Sequence, residues 1–214
     1  MGRISAAKLA GISLILGPVI TVICYFIQTI ASPSSGESWG DIAIGAKALK
    51  DLGATGTVTG IIIPLSLTML LYGVFFILNE IRGDGEALVG YAKIPMLIGL
   101  AGWTYTSGLS IMVANWTGGE DTMMTIWGMG QFSGIMFSLG FTAAFLAIAS
   151  RDGYNSVLAY IAAAIAFLAV ILSIVQLLTS DGSVAATMVS IVGITYIIHT
   201  IYSIHLGRGL LSRA

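Results

Sequence analysis

Apolar residues fall in six long blocks divided by short polar breaks. The blocks run approximately over 9–30, 58–78, 94–113, 123–148, 157–178 and 184–206, and none contains Asp, Glu, Lys or Arg. A helix needs about 20 mostly apolar residues to cross the hydrocarbon core of a bilayer, so each block predicts one membrane-spanning helix. The breaks carry turn residues: Arg82-Gly83-Asp84-Gly85, Thr117-Gly118-Gly119, Arg151-Asp152-Gly153 and Ser180-Asp181-Gly182. Short connections predict antiparallel neighbours. The pattern therefore gives an all-α, polytopic membrane helix bundle in a single transmembrane domain, residues 1–214.

The connection from Ala31 to Gly56 is longer. It opens with Ser32-Pro33-Ser34-Ser35-Gly36 and then becomes periodic, with Trp39, Ile42, Ala46 and Leu49 at helical spacing after a Ser38/Asp41 capping-box-like start. This predicts a short amphipathic helix between spans one and two. It either rests on the outer membrane surface, with Trp39 at headgroup level, or lids the outer end of the bundle. Pro18 and Pro64 fall inside spans and predict kinks, whereas Pro95 is expected to open helix three, where its missing N–H costs nothing.

Composition agrees with the pattern: 57% of residues are hydrophobic and 9% charged, against about 25% charged in soluble domains. The mean hydropathy is +0.96. A net charge of -1 without clustered Lys and Arg excludes a nucleic-acid surface. With Cys24 as the single cysteine, an intrachain disulfide, a CxxC redox pair and a cysteine-based zinc site are excluded. The first apolar block is longer than the roughly 7–15 residues of a signal-peptide core, so a retained span is expected. Six spans put Arg3, Lys8, Arg82, Lys93, Arg151, Arg208 and Arg213 on one side and Lys47 and Lys50 on the other. Basic residues favour the cytoplasmic side, which predicts cytoplasmic termini in the plasma membrane.

Spans without charge lack the buried carboxylates of proton pumps, a Schiff-base lysine and an arginine ladder. They also lack the paired groups of an intramembrane protease. No catalytic residue, metal or cofactor is expected. Two sets of residues remain. Gly130-x-x-x-Gly134 in helix four, with Ala159, Ala162, Ala163 and Ala166 in helix five, are spaced for close helix packing, either between helices four and five or across a homodimer. Gln28, Gln131 and Gln176 fall in the outer half of their helices, with Tyr105 nearer the midplane. If they converge they line a neutral, outward-facing pocket for a ligand; otherwise they make interhelical bonds. Tyr196, His199 and Tyr202 form a polar stripe on the last helix. His199 is read as a neutral histidine bonded to a neighbouring helix, with a haem or metal ligand, or a titrating gate, as the alternative.

Three features resemble prokaryotic six-helix membrane proteins classified as a domain of unknown function. They are the start Ala6-Ala7-Lys8-Leu9-Ala10-Gly11, the helical outer loop after span one, and a Gly-rich fourth span followed by Ser150-Arg151-Asp152-Gly153-Tyr154 and an Ala-rich fifth span. The resemblance implies topology and no activity. The preferred functional expectation is a non-enzymatic structural or accessory component of a larger membrane assembly, in contact with lipid and with protein partners or a second copy. The alternative is a carrier or binding protein for a small neutral or amphiphilic solute. A membrane haem or redox protein is the third.

Overall fold

The structure, a computed structural model, describes residues 4–31, 41–116 and 119–213. Every element among them is helical: α1 (Ala6–Ala31), α2 (Ile42–Asn79), α3 (Glu86–Asn115), α4 (Glu120–Ala149), α5 (Ser156–Leu178) and α6 (Gly182–Leu211). All six are long and apolar enough to cross a membrane. Each contains one of the expected spans, and the charged residues they add lie outside those spans. In hydrocarbon the backbone must satisfy its own polar groups, which a helix does within one segment.

Each helix packs on its neighbours in sequence, and α6 returns to pack on α1, so the six close into a ring; α2 also meets α4 across it. Both described termini lie at one end, here the terminal end, with the α2–α3 and α4–α5 turns. Glycine sets the helix separations. A Cβ at Gly11 would stand 2.9 Å from the Gly207 carbonyl oxygen, and one at Gly207 2.7 Å from that of Gly11, so α1 and α6 cross backbone to backbone. Gly17 lies equally close to α2, where a Cβ would be 2.7 Å from the Ser66 oxygen; Gly73 meets the Ala10 oxygen at 2.8 Å. The α3–α4 pair is locked from both sides, by Gly99 against Ser133 and by Gly140 against Ala92.

Toward the terminal end these crossings enclose a dry core. Leu14, Ile77, Leu78, Met96, Phe145 and Ile148 are all fully buried there. The stripe Ala159, Ala162, Ala163 and Ala166 of α5 joins the same core, which agrees with packing inside the chain. The turns at this end are tied by Arg151 to Glu80 at 3.0 Å and by the Ser150 hydroxyl to the Asp84 carbonyl at 3.0 Å. Helix starts are fixed by side chains. Asp41 accepts from the Ala43 and Ile44 amides, Asn155 from Leu158, and Asp181 from Ser183 and Val184. The bonds from Ser183 and Val184 hold the exposed Asp181 carboxyl below its ordinary value.

Two expectations are corrected. The short amphipathic helix is not found as an element of its own: α2 begins at Ile42 and continues to Asn79, bent at Gly53 (φ 47°, ψ -123°). Glycine reaches this positive φ without penalty, so one residue replaces a loop. Ile42, Ala46 and Leu49 do share a face, packed with Val113 and Met123 over the far ends of α3 and α4. Ser38 and Trp39 lie outside the described residues. The second correction concerns Pro95, which falls inside α3. That helix starts at Glu86, because Val89 and Ala92 bury against the core and extend it before the proline.

A methyl group at a backbone crossing must push two helices apart, and overpacking costs about 1–3 kcal/mol. Gly140→Ala and Gly99→Ala are expected to lose stability in this range when unfolding in mixed micelles is followed by circular dichroism. Gly108→Ala, where a Cβ meets nothing within 4 Å, is expected to lose none. Equal stability of all three would refute the backbone crossings.

Candidate functional site: a neutral cavity inside the ring

Away from the terminal end the ring does not fill. All six helices line a cavity of about 620 Å³. Its wall takes Pro18 to Phe26 of α1, Ile63 to Leu70 of α2, and Trp103, Thr106 and Ser107 of α3. It continues with Ile126 to Phe141 of α4, Ser173 and Gln176 of α5, and Val189 to Ser203 of α6. Phe141 belongs both to this wall and to the dry core, and His199 on the wall packs against Phe145 of that core. No Asp, Glu, Lys or Arg is among the described lining residues.

Four of the six residues singled out as ligand-binding line this cavity: Gln131, Gln176, Tyr196 and His199. Gln28 does not. Its amide nitrogen donates to Thr59 Oγ1 at 2.8 Å, making a bond between α1 and α2. Tyr105 does not either, being 54% exposed on the outer surface of α3. Trp103, Thr106 and Ser107 face inward instead; two residues along a helix turn a side chain about 200° away. Gly130 and Gly134, expected to pack against a helix, are also on the cavity wall. A Cβ at Gly130 meets nothing within 4 Å, and one at Gly134 meets Tyr196 and Trp103 only at 3.6 and 3.7 Å. These glycines keep the space open.

Most polar groups of the wall are already spent. Thr21 donates to the Gly17 carbonyl, Thr106 to that of Trp103 and Thr200 to that of Tyr196. Trp103 Nε1 donates to the Gly130 carbonyl at 3.1 Å, and its ring packs on Phe137 and edge-on to Tyr196. His199 is 8% exposed, with Nε2 at 3.3 Å from the Ala162 carbonyl and its ring against Phe141 and Phe145. A carbonyl only accepts, so Nε2 carries the proton and Nδ1 is left as an acceptor. This is the interhelical bond expected for a neutral histidine.

Gln176 differs. It is 8% exposed, lines the cavity, and makes no hydrogen bond among the described residues. An unpaired amide away from water costs about 1–3 kcal/mol, a cost that a hydrogen-bonding group held in the cavity would relieve. Gln131, across the space on α4, likewise has none among the described residues. Sequence reasoning missed Trp103, Ser138 and Ser173; the spacing Gly130, Gly134, Ser138 on one face of α4 was the available signal.

No family model, no curated protein and no solved structure matches this chain. Any functional reading therefore rests on the cavity and its chemistry.

A neutral aromatic probe such as 1-aminoanthracene is expected to bind in the cavity, with energy transfer from Trp103 and Trp127. Gly134→Leu fills the space and is expected to weaken binding at least about tenfold, or 1.4 kcal/mol. Gly128→Leu, on the outer surface of the same helix, is expected to leave it unchanged. Equal binding by the two variants would place the probe elsewhere.

Proposed function

We propose that this chain is a non-enzymatic, multi-pass membrane protein that binds, and carries or presents, a small neutral amphiphile. The observation that carries this reading is Gln176: an amide on a buried residue, with no hydrogen-bond partner among the described residues, facing a cavity whose described lining residues carry no charge. The volume, about 620 Å³, falls within the roughly 300–1,000 Å³ of small-molecule sites. The wall suits a molecule with an aromatic or aliphatic body and one hydrogen-bonding group. Trp103, Phe137 and Phe141 take the body, and Gln131 and Gln176 the polar group.

The α1–α6 seam supports access from the bilayer. These helices touch backbone to backbone at Gly11 and Gly207, near the terminal end. Farther along, Tyr25 and Phe26 of α1 and Ile194 of α6 line the cavity while being 49%, 48% and 56% exposed. A lipid-dissolved molecule would enter between them. With the basic residues on the cytoplasmic side, the termini face the cytoplasm and the cavity lies in the outer half of the plasma membrane.

An accessory role in a larger assembly has less to stand on. Gly130 and Gly134 line the cavity and the α5 alanines are buried within the chain, so neither set is free for a partner. Among the described residues no three His, Cys, Asp or Glu side chains gather as metal ligands.

Mass spectrometry of molecules retained through purification in mild detergent tests the proposal. A neutral amphiphile enriched over the membrane extract is expected, reduced about tenfold in Gln176→Leu when its polar group carries about 1.4 kcal/mol of the affinity. Retention of bulk lipid in membrane proportions, or undiminished retention by Gly134→Leu, would overturn it.

A further inference from the structure

A second hollow lies at the opposite end of the molecule. It encloses about 650 Å³ between the α4–α5 turn, at Gly153, Tyr154 and Asn155, and the last turns of α6. Its α6 wall includes Ile201, His205, Arg208 and Ser212, spaced i, i+4, i+7 and i+11 on one exposed face of the helix. The apolar part comes first along the chain and the basic part last. This face is continuous toward the bilayer midplane with the exposed Ile194 and Ile198. The hollow thus spans from hydrocarbon depth to the helix end, with cations at the headgroup level.

Among the described residues no carboxylate pairs with its two rim arginines, Arg208 and Arg213. The Arg208 side chain makes neither an ion pair nor a hydrogen bond among the described residues, and it is exposed. Arg213 lies over the Tyr154 ring at 4.9 Å and donates to the Gly153 carbonyl at 3.2 Å, which fixes it on the opposite rim without a carboxylate. Arg151 stacks on the same ring at 5.6 Å but is held by Glu80. Asp152 is exposed and does not line the hollow. Asn155 does line it and caps α5, so the amino-terminal end of that helix dipole also borders the hollow. The α6 carbonyls at this end take backbone amides, Ser212 bonding to Arg208 and Arg213 to Leu210.

We infer that this hollow is a site for an anionic phospholipid, its phosphodiester held between Arg208 and Arg213 and one acyl chain laid along Ile201 and the isoleucines beyond. A guanidinium presents paired N–H donors matched to a phosphate. Basic pockets at the cytoplasmic ends of membrane helices suit anionic headgroups. An isolated anion would use the cations and leave the apolar part of the hollow empty; a phospholipid occupies both. The hollow shares no lining residue with the cavity inside the ring, and its arginines stand whether or not that cavity binds an amphiphile.

Native mass spectrometry of the full chain, delipidated and offered dioleoylphosphatidylglycerol or dioleoylphosphatidylcholine, tests this. The expected result is retention of the anionic lipid about tenfold over the zwitterionic one, falling about tenfold in Arg208→Gln, with Lys8→Gln at the same end unchanged. Millimolar inorganic phosphate is expected to leave retention intact. Equal retention of the two lipids by the wild-type protein would overturn the proposal without reference to any variant. Equal loss in Lys8→Gln would reduce it to a diffuse surface charge. Displacement by inorganic phosphate would assign the site to a free anion.

Discussion

Close approach of helix backbones at glycine is the interaction on which this structure depends. In lipid, apolar side chains gain little by leaving one hydrocarbon surface for another, so association rests on dispersion contacts that require a short distance. The Gly11–Gly207 crossing joins the first and last helices, which no loop connects. Without it the six helices would form an open row. Gly17, Gly73, Gly99 and Gly140 set the other separations, mostly toward the terminal end and middle of the bundle. The helices are therefore held tightly at one end and spread at the other, and the cavity is the result.

The same residue type does opposite work in one helix. Gly140 of α4 lets Met96 and Ala92 press against the backbone, while about two to three turns away Gly130 has nothing within 4 Å and Gly134 only ordinary contact with Tyr196 and Trp103. Facing neighbours decide which outcome applies. At Gly140 these are the closely set residues of α3. At Gly130 and Gly134 they are a cavity edged by Trp103 and Tyr196, rings set edge to face that do not collapse into the gap. Large rings tied by bonds such as Trp103 to the Gly130 carbonyl hold the void open.

Much of this fold was legible in the sequence, because crossing a bilayer imposes a length and a composition that six blocks satisfied. Turn residues and the Ile42, Ala46, Leu49 periodicity were legible for the same reason: they are local. The bend at Gly53 was not, since the sequence does not distinguish a glycine that bends a helix from Gly60, which packs within one. The site was half legible. Depth grouped Gln131 with Gln176 correctly but also drew in Gln28 and Tyr105, because depth fixes position along a helix and leaves its rotation open. In lipid the rotation is poorly marked, as apolar residues serve on both faces; the paired bonds of Gln28 to Thr59 and His199 to Ala162 appear only when helices are placed together.

Gly53 has a mechanical side. The first limb of α2 sits over the far ends of α3 and α4, where Ile126 and Trp127 belong both to its packing and to the cavity wall. It is joined to the membrane-crossing limb through one residue at φ 47°. A straight α2 would be a rod of about 57 Å at 1.5 Å per residue, well beyond a bilayer core. The corner folds that surplus length back across the bundle as a cantilever with a single pivot. The stiffness of the roof above the cavity is thus vested in the torsions of one glycine.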